Sequence, residues 1–224
     1  MSEARQPGAS IRRAVAVLIG LLRKLPSIPR IARTLFLKAI NRSDYHRWRN
    51  PENLEAWWES RTEKIATLIP RGTRVIEFGA GHRRLESYVD PTCTYIASDL
   101  VDRGPGTVIC DLNNRPLPDL GAMRPDVAVF VGVLEYVKDL ESVVSWLSRQ
   151  VKCCAASYEC AVSEPGTFAR ALETLRRAKS GYMSTYTEPE LIELFAWSGF
   201  TCARIETWND QRLFLFRISG RDPQ

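Results

Sequence analysis

Five short apolar runs, separated by helical or turn segments, constrain the fold of this chain more than any other feature. They occupy residues 73–78, 94–98, 107–110, 126–133 and 152–158. Runs this short and this apolar are typical of strands buried on both faces. Strands that alternate with helices predict an α/β fold with a doubly wound, mostly parallel sheet and helices on both faces. Ligands of such sheets bind at the carboxyl ends of the strands.

The C-terminal quarter of the chain shows a different pattern. A capping box at residues 187–190 predicts the start of a helix that ends before Gly199. Two longer segments, residues 200–208 and 211–218, then flank a two-residue turn at 209–210. We therefore predict that the sheet ends in an antiparallel hairpin.

The net charge is concentrated at one end of the chain. The 224 residues carry a formal charge of +5, from 31 Lys and Arg against 26 Asp and Glu. Residues 1–40 hold eight cations and one anion, so this segment has a charge of +7 and the other 184 residues have a charge of −2. A body without basic excess disfavours a polyanion-binding protein, and no nucleic-acid partner is predicted.

The basic segment also has an amphipathic pattern. Its first half carries apolar residues at helical spacing, at Ile11, Val15, Leu18, Leu22 and Leu25. We predict a basic amphipathic helical arm over residues 1–40, followed by the α/β domain over residues 41–224. The arm predicts peripheral contact with an anionic membrane surface through residues 11–40. Packing on the domain, contact with a partner, and an over-called start codon are the alternatives.

The six cysteines give no sign of a metal or redox site. They are scattered as Cys93, Cys110, Cys153, Cys154, Cys160 and Cys202, and none forms a C-x-x-C pair. Cysteines in apolar runs behave as small buried hydrophobes. We predict no metal, and a reducing cytoplasmic location with membrane association through the arm.

The strongest chemical signal lies at residues 75–82, where an apolar strand carries Glu77 and runs into two glycines. Gly79 and Gly81 let the backbone turn tightly and approach a ligand. Asp99 ends the next strand, twenty residues after Gly79, where a carboxylate can accept hydrogen bonds from ribose hydroxyls. These features together predict a nucleoside pocket.

The third glycine of a dinucleotide fingerprint is missing, because Arg84 stands at its position. This argues against NAD. The sequence instead resembles the class I S-adenosylmethionine-dependent methyltransferases of the bacterial stand-alone type, across about residues 54–218. The resemblance rests on Glu77-Phe78-Gly79-Ala80-Gly81, Ser98-Asp99-Leu100, Cys110-Asp111-Leu112 and Gly132-Val133-Leu134-Glu135-Tyr136-Val137.

The resemblance implies a Rossmann-like fold, S-adenosyl-L-methionine as cofactor, and roles for three acids. Glu77 would organise the loop that holds the methionine part, Asp99 would bind the ribose, and Asp111 would lie near the adenine amino group. The remaining residues of the implied cofactor pocket are Phe78, Gly79, Ala80, Gly81, Leu100, Leu112, Gly132, Val133 and Leu134.

Two positions depart from the family pattern. The family often has glycine where Arg83 stands and histidine where Tyr136 stands, so Arg83 could pair with the methionine carboxylate and the catalytic base is left open. Arg61 could also reach that carboxylate, although a solvated helix arginine is the favoured interpretation. The candidates for the base are Glu135, Tyr136, Tyr158, Glu159 and His82.

A long insert, residues 161–186, separates the fifth strand from the capping box. Its central part, residues 167–179, has the pattern of a basic helix. The family places its acceptor lid here, so this helix, Tyr182 and Tyr186 are the predicted acceptor contacts. A helix that only covers the sheet is the alternative.

The predicted function is methyl transfer from S-adenosylmethionine to an oxygen or nitrogen of a small-molecule, sugar or lipid-linked acceptor. The sequence has no N/D-P-P-Y run after the fourth strand, which the amino- and base-modifying branch would show. Two rival functions are an NAD(P)-dependent oxidoreductase and a non-catalytic scaffold that binds the cofactor.

Overall fold

A seven-stranded sheet forms the centre of the protein in the computed structural model, which describes residues 28–218. The strand order is β3-β2-β1-β4-β5-β7-β6. The first five strands are parallel, and β7 lies antiparallel to both β5 and β6. This confirms the predicted fold class. The strands are β1 (Arg74–Phe78), β2 (Thr94–Asp99), β3 (Val108–Ile109), β4 (Val127–Phe130), β5 (Cys153–Tyr158), β6 (Phe200–Trp208) and β7 (Gln211–Ile218).

Helices cover both faces of the sheet, as the alternating pattern predicts. They are α1 (Ile28–Ala39), α2 (Tyr45–Trp48), α3 (Glu59–Ala66), α4 (Leu85–Tyr88), α5 (Leu140–Leu147), α6 (Phe168–Lys179) and α7 (Glu188–Trp197), with 3-10 turns at Pro51–Asn53, Ala56–Trp58 and Leu134–Tyr136. Two apolar clusters lie on opposite sides of the sheet. Stacked ring pairs fill the larger one, including Phe78 with Phe130 and Phe195 with Phe216.

Strand β4 is shorter than its apolar run predicts. Pairing stops at Phe130, and Gly132 adopts a φ of 68°, a left-handed conformation that cannot continue a strand. The Gly132 backbone N–H donates to Ser157 Oγ at 2.7 Å instead of to a strand partner. The chain therefore leaves the sheet early and turns across the end of β1.

The C-terminal predictions are confirmed. Thr187 caps α7, and Glu190 completes the capping box by accepting from the Thr187 backbone N–H at 2.7 Å. Gly199 ends the helix with a φ of 88°, and Asn209 forms the hairpin turn with a φ of 49°.

The segment before the sheet is tied to the strand ends. Ser43 Oγ donates to Asp111 Oδ1 at 2.6 Å, and Asn41 Nδ2 donates to the Asn113 carbonyl at 2.8 Å. Residues 1–27 of the predicted arm over residues 1–40 lie outside the described residues, so the domain boundary at residue 40 stays a prediction. Among residues 28–218, no helix is both long and apolar enough to cross a bilayer.

Candidate active site

A cavity of about 360 Å³ opens at the carboxyl ends of β1, β2 and β4. This is the edge of the sheet where ligands of doubly wound folds bind. The loop after β1 forms one side of the cavity, and residues of α1 and α2 and the segment that follows α6 close the opposite sides. Polar and aromatic side chains from these separate parts of the sequence therefore meet in one place.

The loop after β1 depends on glycine at two positions. Gly79 has a φ of 72°, and a Cβ there would lie 2.5 Å from Val133 Cγ2. Gly81 has a φ of 52°, and its backbone N–H donates to Asp99 Oδ2 at 2.9 Å. The loop thus passes close to the turn after β4 while holding the carboxylate that ends β2.

Asp99 is buried, and several groups hold its carboxylate in place. Oδ1 accepts from the Val101 backbone N–H at 3.2 Å, and Arg103 Nε lies 3.2 Å from Oδ2. Both side chains of this ion pair are almost fully buried, with exposures of 5% for Asp99 and 8% for Arg103. A preorganised carboxylate at a strand end can accept hydrogen bonds from vicinal hydroxyls of a ribose.

Glu77 is the second buried acid at this edge. Its only described hydrogen bond comes from the Tyr95 hydroxyl, which donates to Oε2 at 2.5 Å. Burial raises the pKa of Glu77 to about 8, because little in the pocket solvates the carboxylate. A cation that enters the cavity would stabilise the ionised form of Glu77.

Glu135 lies in the 3-10 turn after β4 and is 1% exposed. Oε1 accepts from the Glu159 backbone N–H at 2.9 Å, whereas Oε2 is buried without a hydrogen bond among the described residues. Burial raises the pKa of Glu135, and the positive charges of Arg61 and Arg177 oppose that rise. A buried carboxylate oxygen that has no partner is a candidate for contact with a ligand.

Aromatic rings form the wall opposite the glycine loop. The Tyr136 ring meets Trp48 edge-on at 4.8 Å and Tyr182 edge-on at 5.3 Å between centroids. Arg47 lies over the Trp48 ring at 4.3 Å and donates to the Ser180 carbonyl at 2.6 Å. This wall joins α2, the turn after β4 and the segment after α6.

A family model described as a methyltransferase domain matches residues 45–205, which is most of the chain. The chain belongs to the class I S-adenosylmethionine-dependent methyltransferases. No curated protein matches this methyltransferase significantly.

Solved structures share its fold at low sequence identity. CalO1, a methyltransferase in calicheamicin biosynthesis solved with S-adenosylhomocysteine bound, is 16% identical with a TM-score of 0.56 over 75% of this chain and 56% of CalO1. The mitomycin 7-O-methyltransferase MmcR is 14% identical with a TM-score of 0.61 over 86% of this chain and 67% of MmcR. The 1,6-didemethyltoxoflavin-N1-methyltransferase of Burkholderia thailandensis is 16% identical with a TM-score of 0.55 over 97% and 92%. The chain spans little more than half the length of CalO1.

The residues of this methyltransferase fit the cofactor on structural grounds. Glycine at positions 79 and 132 lets the backbone at the cavity pass close to Val133 and to the Arg61 guanidinium, and Asp99 presents a fixed carboxylate. The guanidinium of Arg61 is buried at the cavity, and its Nε has no hydrogen bond among residues 28–218. A buried cation of this kind suits the methionine carboxylate of the cofactor.

Eleven of the predicted cofactor residues line the cavity: Glu77, Phe78, Gly79, Ala80, Gly81, Asp99, Leu100, Asp111, Leu112, Gly132 and Val133. Leu134 is the exception. The sequence predicts that it lines the cofactor pocket, but its side chain is 1% exposed and packs in the larger apolar cluster. The half-turn after Val133 rotates Leu134 toward the core and Glu135 toward the cavity.

The candidates for the base separate in the same way. Glu135, Tyr136, Glu159 and His82 line the cavity. Tyr158 does not, because its hydroxyl is buried 3.0 Å from Ser184 Oγ and accepts from the Tyr186 backbone N–H at 3.2 Å. We therefore correct that prediction and regard Tyr158 as a packing residue.

Of the predicted acceptor contacts, only Tyr182, near the end of the insert, lies at the cavity. Tyr182 lines the cavity, with its hydroxyl donating to Glu159 Oε2 at 2.8 Å. Tyr186 packs against the core instead, and the cavity wall includes no residue of α6. Helix α6 therefore supports the wall from outside, mainly through Arg177, which donates to the Glu159 carbonyl at 2.6 Å.

The sequence favours Arg83 at the cavity and Arg61 in solvent, and the structure shows the reverse. Arg83 has a φ of 57° and turns away from the cavity, with Nη1 donating to the Pro105 carbonyl at 3.0 Å. Glycine is favoured in that conformation, which explains the family preference at this position. Arg61 is buried rather than solvated, because its guanidinium lies over the Trp58 and Trp208 rings and donates to Gln211 Oε1 at 2.9 Å.

Several cavity residues escaped the sequence analysis because they lie far from the glycine motif. They are Ser43, Arg47, Trp48, Arg103, Asn113 and Gln211. Arg103 carried a usable signal, since it follows Asp99 by four residues in an otherwise acidic turn. The others are brought in by tertiary contacts that no local pattern specifies.

Replacing Gly132 by alanine is expected to weaken cofactor binding by about tenfold or more. A Cβ there would lie 2.6 Å from Arg61 Nη2, so the guanidinium must leave its position and its bond to Gln211. Gly199→Ala is the matched control, since Gly199 also has a positive φ but a Cβ there meets no atom within 4 Å. Calorimetry should show weaker binding for Gly132→Ala alone, and equal affinities would remove Arg61 from the site.

Proposed function

We propose that this chain transfers the methyl group of S-adenosylmethionine to an oxygen or nitrogen of a small-molecule acceptor, a class that includes sugars and lipid-linked saccharides. The observation that carries the proposal is the meeting of Glu77, Asp99, Arg61 and the Gly79 turn around one cavity at the strand ends. These groups match the ammonium, ribose and carboxylate of the cofactor in charge and hydrogen-bonding character.

The bound cofactor would supply a sulfonium methyl group that is already activated for displacement. The work of the protein is then to align the acceptor and exclude water, which can supply roughly 7–11 kcal/mol in well-oriented systems. The Gly132 turn and the wall formed by Trp48, Tyr136 and Tyr182 bound the space for that alignment.

Glu135 is the best placed group to accept a proton from the acceptor. Its Oε2 atom has no described hydrogen bond, and the raised pKa of its carboxyl brings its basicity closer to that needed near neutral pH. Burial also raises the pKa of Tyr136, so its hydroxyl stays protonated, which suits a hydrogen bond to the acceptor rather than a role as the base.

The comparisons support a small acceptor. The mitomycin, 1,6-didemethyltoxoflavin and N-acetylserotonin methyltransferases among the structural neighbours are named for small molecules. The aromatic wall supplies flat apolar surface beside the cationic Arg47, which suits a planar or sugar ring that carries a polar group.

Calorimetry is expected to show micromolar binding of S-adenosylmethionine and S-adenosylhomocysteine, and no binding of NAD or NADP. Binding of NAD alone would overturn the proposal in favour of the oxidoreductase alternative. A labelled-methyl assay against fractionated small-molecule and lipid extracts should then show transfer to one fraction. Cofactor binding without transfer to any fraction would support the scaffold alternative instead.

A further inference from the structure

Two neighbouring helices of this protein leave apolar side chains in water. Helix α1 packs against helix α6. The large apolar side chains on the outer sides of these helices are between 41% and 78% exposed, and they are Ile28, Leu35, Phe36 and Ile40 with Phe168, Leu172 and Leu175. We call these seven residues the apolar face. Contiguous apolar patches on a protein surface mark sites of interaction with other proteins or with membranes.

The spacing within each helix gives a stripe rather than scattered positions. Leu35 and Phe36 follow Ile28 by seven and eight residues, or about two helical turns, which places all three on one side of α1. Phe168, Leu172 and Leu175 follow steps of four and three along α6. In an amphipathic helix of a globular protein such a stripe faces the core, whereas here the inward side of α1 is formed by Thr34 and Leu37 at the cavity.

Cations predominate around the apolar face. Helix α1 contains no acid and carries Arg30, Arg33 and Lys38, and Arg33 is paired with Asp44, whose side chain is 19% exposed. Helix α6 contains one acid, Glu173, which is 7% exposed and whose carboxylate accepts from the backbone N–H groups of residues 162 and 163. The exposed cations Arg176 and Lys179 end that helix. The two helices therefore present apolar and cationic groups without an exposed acid.

This combination selects among the possible partners. A second copy of the chain would bring cations against cations, which costs free energy. An anionic lipid surface would accept both features, because apolar side chains enter the acyl boundary while Arg and Lys remain at the phosphates. Residues 1–27 continue the same apolar and basic composition, with five cations and one anion. Because residues 1–27 are cationic, they would be attracted to an anionic lipid surface and repelled by the cations around the apolar face.

We propose that α1 and α6 together form a docking face for the surface of an anionic lipid bilayer. The proposal goes beyond methyl transfer and does not depend on it. The other side of α1 lines the cavity through Thr34 and Leu37. Docking would therefore place the cavity one helix diameter from the lipid headgroups, about 10 Å.

The test uses the full chain and two vesicle preparations, one of phosphatidylcholine and one in which about a third of the lipid is phosphatidylglycerol. The triple variant Phe36→Ser/Phe168→Ser/Leu172→Ser removes three exposed side chains of the apolar face. Trp197→Ser, which removes a 74% exposed ring at the far end of α7, is the matched control. Co-sedimentation should show binding of the unchanged chain and the control to the anionic vesicles, and at least tenfold weaker partition of the triple variant.

Four outcomes would overturn the proposal. They are no binding by the unchanged chain, equal binding to neutral vesicles, undiminished binding of the triple variant, and a dimer in ultracentrifugation that the triple variant dissociates. Undiminished binding would assign membrane contact to residues 1–27 alone. Calorimetry with the cofactor checks that each variant is folded, and if the triple variant is not, Arg176→Glu/Lys179→Glu tests the same face through exposed charges and should weaken binding by a similar factor.

Discussion

Replacing Asp99 by alanine is expected to weaken cofactor binding by roughly 10- to 150-fold, because hydrogen bonds to a charged group contribute about 1.5–3 kcal/mol. The same change removes the carboxylate partner of Arg103, which is 8% exposed and keeps its hydrogen bond to the Trp48 carbonyl. Breaking a buried ion pair by removing one partner costs about 3–5 kcal/mol. Calorimetry and chemical denaturation should therefore both show large losses.

The two effects of Asp99→Ala can be separated with a second substitution. Arg103→Met in the Asp99→Ala background replaces the unpaired cation by an apolar side chain of similar length, so most of the lost free energy of unfolding should return. Cofactor binding should not return, since the ribose-binding carboxylate is still missing. Recovery of both in the double variant would show that Asp99 acts only by holding Arg103.

Replacing Glu77 by glutamine is expected to stabilise the protein without cofactor while weakening cofactor binding. Burial gives the carboxyl group of Glu77 a pKa of about 8 in the folded chain, against 4.5 for a solvated glutamate. At neutral pH folding must therefore either protonate this group or bury its charge. The amide avoids this penalty and can still accept from the Tyr95 hydroxyl. We expect a gain on the order of 3 kcal/mol at pH 8, measured by thermal and chemical unfolding.

The stabilisation by Glu77→Gln should depend on pH, because the pKa of Glu77 differs between the folded and the unfolded chain. Below pH 4.5 the Glu77 carboxyl is protonated in both the folded and the unfolded chain, so ionisation adds no penalty there. Between pH 4.5 and pH 8 the unfolded chain loses its proton first, and the free energy of unfolding of the unchanged protein falls. The advantage of Glu77→Gln should grow across that window and level off above pH 8. A constant difference, or a loss of stability, would contradict the raised pKa.

The sheet and the glycine side of the cavity could be predicted from the sequence because both depend on local signals. Short apolar runs specify strands buried on both faces, and the order of acid and glycine after β1 specifies a tight turn. The capping box at Thr187 and the turn at Asn209 likewise depend only on neighbouring residues. Each of these signals lies within about ten residues of the structure that it specifies.

The opposite wall of the cavity could not be predicted in this way. Trp48, Tyr136 and Tyr182 are separated by 46 or more residues in sequence and meet only after the sheet has formed. Arg61 has the pattern of a solvated helix residue, and only the packing of α3 beside Trp208 and Gln211 buries it. Tertiary packing therefore decides which polar side chains face the ligand.

The misassigned residues have a common physical reason. Leu134 and Tyr158 stand next to cavity residues in sequence, and in both cases the backbone turns the neighbour, Glu135 or Glu159, toward the cavity. A strand end or half-turn alternates its side chains, so adjacent positions face opposite ways. A sequence motif therefore identifies the turn but does not tell which of two adjacent side chains faces the cavity.

The hydrogen bond from Arg47 to the Ser180 carbonyl joins the two segments that roof the cavity. Trp48 and Tyr182, which follow these two groups, meet Tyr136 from opposite sides. The contact that closes this side of the cavity therefore joins parts of the chain about 130 residues apart. The N-terminal helices are therefore part of the enclosure of the cavity, and their position fixes how far it is closed on this side.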